Sequence, residues 1–149
     1  ARGASAADPL TVRSTGSMAG LTLGAVEHAD FLAGVAPAAG RHATAHGDFT
    51  NPGAFIKSVS VKGYKVAAGQ SDRFVIDSNF SAATIGSAKL TNIQLNNGGT
   101  AFGLYVYDTA ADKEIKAAGS DKADKTKNWS WPLKEGLALP DGDFEILVL

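Results

Sequence analysis

A chain of 149 residues, 44% hydrophobic and 19% charged, is expected to be one domain large enough to bury a self-supporting core. It has no cysteine, which excludes disulfide frameworks, thiolate zinc sites and cysteine nucleophiles. Fourteen Lys and Arg against fifteen Asp and Glu leave a net charge of -1, so nucleic acid is not expected as a partner, and no apolar run approaches the ~20 residues of a membrane span, so no membrane insertion is expected.

In chain order, residues 1–9 read as a flexible leader of small residues. The start Ala1-Arg2-Gly3 lacks a methionine, and no basic region followed by an apolar stretch marks a signal peptide, so a processed chain, a truncation or one part of something longer is expected. Apolar residues then recur with period two rather than 3.6, which predicts strands. Strands are predicted at Leu10 to Arg13 and, between two glycines, at Leu21-Thr22-Leu23. Residues 36–53 interrupt them as an insertion rich in Ala, Gly, His and Pro. From Phe55 to Gly63, Val59 and Val61 take one face and Ser60 and Lys62 the other, the pattern of a half-buried strand. Further strands are predicted at Arg73 to Ile76, at Ala88 to Leu95 before the turn Asn96-Asn97-Gly98-Gly99, at Ala101 to Tyr107 and at Phe144 to Leu149. The best helical candidate, Ala110 to Ala118, is short and runs into Gly119, so it reads as a turn or hairpin tip.

These segments recur in order. Gly20-Leu-Thr-Leu-Gly24 precedes Asp30-Phe-Leu-Ala-Gly34, Ser58-Val-Ser-Val-Lys62 precedes Asn79-Phe-Ser-Ala-Ala83, and Ser87-Ala-Lys-Leu-Thr91 precedes Phe102-Gly-Leu-Tyr105. Degenerate repeats of short strands and glycine turns predict a solenoid, in which each repeat buries its apolar face against its neighbours. Ile56 to Gly63, Asp77 to Gly86 and Asn97 to Gly103, with Ala29 to Pro37 one copy earlier and Gly142 to Leu149 as a last strand, resemble degenerate repeats of large secreted or surface-anchored bacterial proteins. That resemblance implies a right-handed parallel β-helix at the C-terminal end of a longer exported polypeptide. It brings no activity and no catalytic residues with it.

Several constellations suggest chemistry. His42 and His46, four residues apart, with Asp48 beside them and Glu27, His28 and Asp30 as further donors, are candidate metal ligands. Glycines 40 and 47 bracket the pair, and the plainer reading is a solvated insertion. A polysaccharide-degrading β-helix would need converging acids. Asp72 and Asp77 are the only close pair near the central predicted strands, and turn formation explains them more simply. No Gly-x-Ser-x-Gly elbow or nucleotide-binding glycine loop occurs. Trp129 and Trp131 lie on one side of an extended segment and, with Tyr105 and Tyr107, form a candidate carbohydrate platform, of which Trp129, Trp131 and Tyr107 are the residues proposed to contact sugar. The preferred alternative is that the tryptophans cover the end of the solenoid.

The sequence thus predicts an all-β protein: a short right-handed parallel β-solenoid over residues 10–107, closed by a C-terminal cap or hairpin over 108–149, with a β-sandwich as the alternative. It predicts a non-enzymatic structural scaffold without a cofactor, extracellular or on the cell surface, that self-associates or belongs to a larger exported protein. A carbohydrate-binding module that takes polysaccharide is the second reading, and a polysaccharide-degrading enzyme the third.

Overall fold

The computed structural model describes residues 1–107, 115–121, 127–133 and 138–149, and the side chains of 1–107 and 142–149. Strands β1 (Leu10–Ser14), β2 (Leu21–Leu23), β3 (Val26–Glu27) and β4 (Ala29–Ala33) precede the insertion, which carries two short 3-10 turns, Pro37–Ala39 and His46–Asp48. Then come β5 (Phe55–Ile56), β6 (Val59–Val61), β7 (Val75–Ile76), β8 (Asn79–Ala82), β9 (Thr84–Ile85) and β10 (Ser87–Leu90). The chain ends with β11 (Phe102–Val106), β12 (Ile115–Asp121), β13 (Lys127–Leu133), β14 (Ala138–Asp141) and β15 (Phe144–Val148). The protein is all-β, and the 3-10 turns are the only helical elements among the described residues.

The strands form four ladders. The largest has the order β1-β4-β8-β11-β15-β14, the second β13-β12-β10-β6-β2, and β3-β7 and β5-β9 are two-stranded. Every pairing is parallel except β12 with β13 and β14 with β15. The parallel strands stack in chain order in all four ladders. Register brings the recurring segments of the sequence onto one another. Leu21 pairs Val59 and Val59 pairs Ala88, while Phe31 pairs Phe80 and Phe80 pairs Leu104.

Alternation along each strand then sorts the side chains. Phe31, Phe80, Leu104 and Ile146 lie in one row across the large sheet, and Val59, Val61, Ala88 and Leu90 come from the second sheet, all within a single buried cluster. Phe31 and Phe80 stack with ring centroids 5.3 Å apart. The core therefore lies between the two principal sheets.

Where the boundaries differ from the sequence reading, backbone conformation supplies the reason. The strand expected over Ala88 to Leu95 ends at Leu90, because Asn92 takes a positive φ of 57° and turns the chain, leaving Ile93 a single bridge to Val75. Ile115 to Ala118, expected within a turn or hairpin tip, belong to strand β12, whereas the rest of that expected tip, 110–114, lies outside the described residues. Residues 1–9 are tied down at several points. The Ala1 amino group donates to Ala25 O at 2.8 Å, Gly3 N to Glu27 O at 3.0 Å, and Arg2 forms a parallel bridge with Glu27.

Candidate functional site

The insertion folds over the outward face of the large sheet, burying Ala43 and Phe49 while most of its other residues stay exposed. Val35, Ala43 and Phe49 are buried against Leu32 and Ala83, with Tyr107 and Leu149 at the margin. Polar contacts fix it in place. Arg13 donates to Val35 O and Ala36 O at 2.8 and 2.9 Å, and Ala43 N donates to Ser81 Oγ at 3.3 Å.

At the centre is an ionic cluster. One outward row of the sheet runs through Asp30, Asn79, Gly103 and Glu145. Asn79 Nδ2 donates to Asp30 Oδ1 at 2.7 Å and Gly103 N donates to Asn79 Oδ1 at 3.1 Å, so the buried polar row is linked strand to strand. Arg41, from the insertion, spans two wholly buried carboxylates. Its Nε and Nη2 reach Asp30 at 3.0 and 3.1 Å, and its Nη1 reaches both oxygens of Asp77 at 2.9 and 3.0 Å. Nη2 also donates to Asp77 O at 2.8 Å. His28 Nδ1 lies 2.9 Å from Asp77 Oδ2, and Asn97 Nδ2 donates to Asp77 Oδ1 at 3.0 Å.

Backbone geometry creates the His28–Asp77 contact. Val26 pairs Val75 and Glu27 pairs Ile76, so the next residue of each strand is a neighbour, and both His28 and Asp77 have positive φ, 47° and 39°. The same corner is built twice. Burial pushes the Asp77 carboxyl up, but hydrogen bonds from His28 and Arg41 and the Arg41 charge outweigh it, leaving the group below the ordinary carboxylate range. Burial likewise opposes the charge on Arg41, and its two aspartates overcome that and raise its pKa.

The arrangement suits fastening rather than catalysis. Each Asp77 oxygen accepts two hydrogen bonds, which leaves no free lone pair to take a substrate proton. Comparison with protein-family models, curated proteins and solved structures finds no match for this chain.

The residues singled out in the sequence are dispersed. His42 stacks on Tyr105 with centroids 3.9 Å apart, and His46 lies 4.4 Å from the Tyr107 ring. Asp48 accepts from Thr44 N, Thr44 Oγ1 and Ala45 N. Those hydrogen bonds from the Thr44 and Ala45 backbone hold its carboxyl below the ordinary range. Among the described residues no group of three His, Asp or Glu is placed to hold a metal ion. Burial lowers the pKa of His42, whose Nδ1 has no hydrogen-bond partner. Burial and the Glu145 carboxylate, which accepts from Tyr105 Oη at 2.8 Å, raise the phenol far above its usual value.

Asp72 and Asp77 do not act as a pair; the acid that shares Arg41 with Asp77 is Asp30. Tyr107 packs against Phe49 and His46 beyond the end of β11. Trp129 and Trp131 lie on β13 in the other sheet, in register with Gly119 and Ala117, which continue the buried rows of Leu90 and Ala88. Tyr107 thus follows a strand of one principal sheet and the two tryptophans belong to a strand of the other, and the side chains of the tryptophans lie outside the described residues. Sequence reasoning missed Arg41 and the Asp30–Asn79 row. Their signal was the alignment of His28-Ala-Asp-Phe31 with Asp77-Ser-Asn-Phe80, which repeats a polar residue at both outward positions.

Proposed function

We propose that this chain is a structural scaffold module, a β-solenoid that self-associates through the end formed by β1 and β2. The observation that carries the reading is the state of that end. Both strands are edge strands of their sheets. Val12 pairs Phe31 and so heads the row Phe31, Phe80, Leu104 and Ile146, yet it is 39% exposed where those four are buried. Leu10 beside it is 40% exposed, and Met18, Leu21 and Leu23 of the same end are only partly buried. Stacking in chain order, with aligned apolar rows, supports the solenoid, and a solenoid end that exposes its core rows and free strand edges is adhesive. The Arg41 cluster, with both Asp77 oxygens fully engaged, fits a fastening role in a scaffold.

Extracellular or cell-surface placement belongs to the same reading and rests on the resemblance of the repeats. Light scattering coupled to size exclusion, over a hundredfold range of concentration, tests the association. Mass rising with concentration is the expected result; a monomer throughout overturns self-association.

A further inference from the structure

On the outward face of the second principal sheet, the described side chains of β2, β6 and β10 carry charge of one sign. Thr22, Ser60 and Lys89 form one outward row across β2, β6 and β10, and the register places Lys62 beside Thr91 in the next. Lys62 and Lys89 are exposed. They open on a cavity of about 310 Å3 whose described lining is Ser60, Val61, Lys62, Lys89 and Thr91, none of them acidic. Among the described residues the ion pairs lie elsewhere, on Arg2, His28 and Arg41, so both lysines are without an acidic partner.

We infer that this face binds an acidic polysaccharide, with Lys62 and Lys89 pairing its anionic groups and the Ser60 and Thr91 hydroxyls meeting its sugar hydroxyls. The spacing is set by the sheet. Lys89 sits one strand over from Lys62 and two residues back, a separation of about 8 Å between Cα atoms given ordinary strand spacing and rise. Two cations held at a fixed separation match a polymer with regularly repeated anions.

Lysine, a hydrated point charge on a flexible stem, suits single carboxylate or sulfate groups, whereas rigid bidentate recognition would call for arginine. The Ser60 and Thr91 hydroxyls beside the two lysines match the hydroxyl-rich rings of a saccharide, which favours it over single-stranded nucleic acid.

Affinity electrophoresis of the whole chain tests this, with polygalacturonate as the uronate probe, dextran sulfate as the sulfated one, and neutral dextran and single-stranded DNA as controls. The expected result is retardation by at least one acidic polysaccharide, none by neutral dextran, and release at 0.5 M salt. Retardation by only one of the two names the anion. Lys62→Gln with Lys89→Gln should weaken binding at least fivefold, while Lys57→Gln with Lys65→Gln, the same change in net charge at other exposed positions, should leave it within twofold. Absence of retardation, equal loss in both double variants, or tighter binding of single-stranded DNA overturns the inference. Thermal unfolding of both variants checks that the fold is kept, and because light scattering reads association separately, this result stands or falls apart from the scaffold reading.

Discussion

Arg41 and His42 are adjacent in sequence and affect stability for opposite reasons. Arg41 neutralises two carboxylates that have no access to water, so its removal strands both Asp30 and Asp77 as buried charges. Breaking such a pair from one side costs on the order of 3 to 5 kcal/mol. Arg41→Ala should therefore lower stability by roughly that amount in urea unfolding, and Arg41→Lys should recover little, because an ammonium cannot span both acids as the planar fork does. A loss below about 1 kcal/mol would show that the cluster does not hold the insertion down.

The pH windows of the two sites also separate. Asp77, with its folded pKa depressed, adds stability that is present above the ordinary carboxylate value and is lost as pH falls through the folded one. The His42 pKa is lowered, so as pH falls through about 6.5 the unfolded chain binds its proton more readily than the folded one, and stability declines with it. His42→Phe keeps a ring on Tyr105 and removes both the titration and the partnerless Nδ1. Unfolding midpoints measured from pH 7.5 to 5 should fall less steeply in this variant than in the parent, with an equal or higher midpoint at pH 6. An unchanged slope would count against His42 as a buried neutral group.

Among the elements, β11 is the most constrained. Gly103 has φ of +151°, and a Cβ there would lie 1.9 Å from Glu145 O on β15, so neither strand can give way without breaking the ladder. Gly103→Ala should destabilise the protein by about 3 kcal/mol or more, a strain penalty that Gly40→Ala, with open space but positive φ, should show only in part. Similar losses in the two variants would locate the effect in φ alone.

The sequence reads well at this scale and poorly one level below. Period-two alternation marked β6, β10 and β11 because apolar side chains on one face are what a sheet over a core requires. The repeated order of segments matches the stacking of β2, β6 and β10 and of β4, β8 and β11, with the last segment one residue out of register, since Gly103 rather than Phe102 lies opposite Asn79. The folding-over of residues 36–53 was invisible, since its contacts are made by Arg41, His42 and Phe49 to partners on remote strands, and composition alone describes such a segment as solvated. The four-residue spacing of His42 and His46 fixes no geometry, because it has meaning only inside a regular element and His46 begins a 3-10 turn that His42 precedes.

For the whole molecule, the two ends of the stack are unlike. At one, antiparallel pairing of β12 with β13 and of β14 with β15 terminates both principal sheets. At the other, β1 and β2 are the outermost strands of their sheets among the described residues, and in a parallel strand alternate residues direct their backbone groups away from the partner. Leu10 N donates to His28 O on the β4 side, so the N–H and C=O groups of Thr11 and Arg13 face the open edge. Free backbone groups and the exposed Leu10 and Val12 thus coincide on one surface, which is where the proposed self-association is placed. Leu10→Lys with Val12→Lys places charge on both positions while leaving the rows beneath intact, a device by which natural edge strands avoid pairing. If the β1 end is the contact, this double variant should remain monomeric at concentrations where the parent associates, with a small change in unfolding midpoint, because both side chains are already more than a third exposed. Association undiminished in the variant would place the contact elsewhere, and the uncovered core rows would then have to be tolerated by the isolated fold.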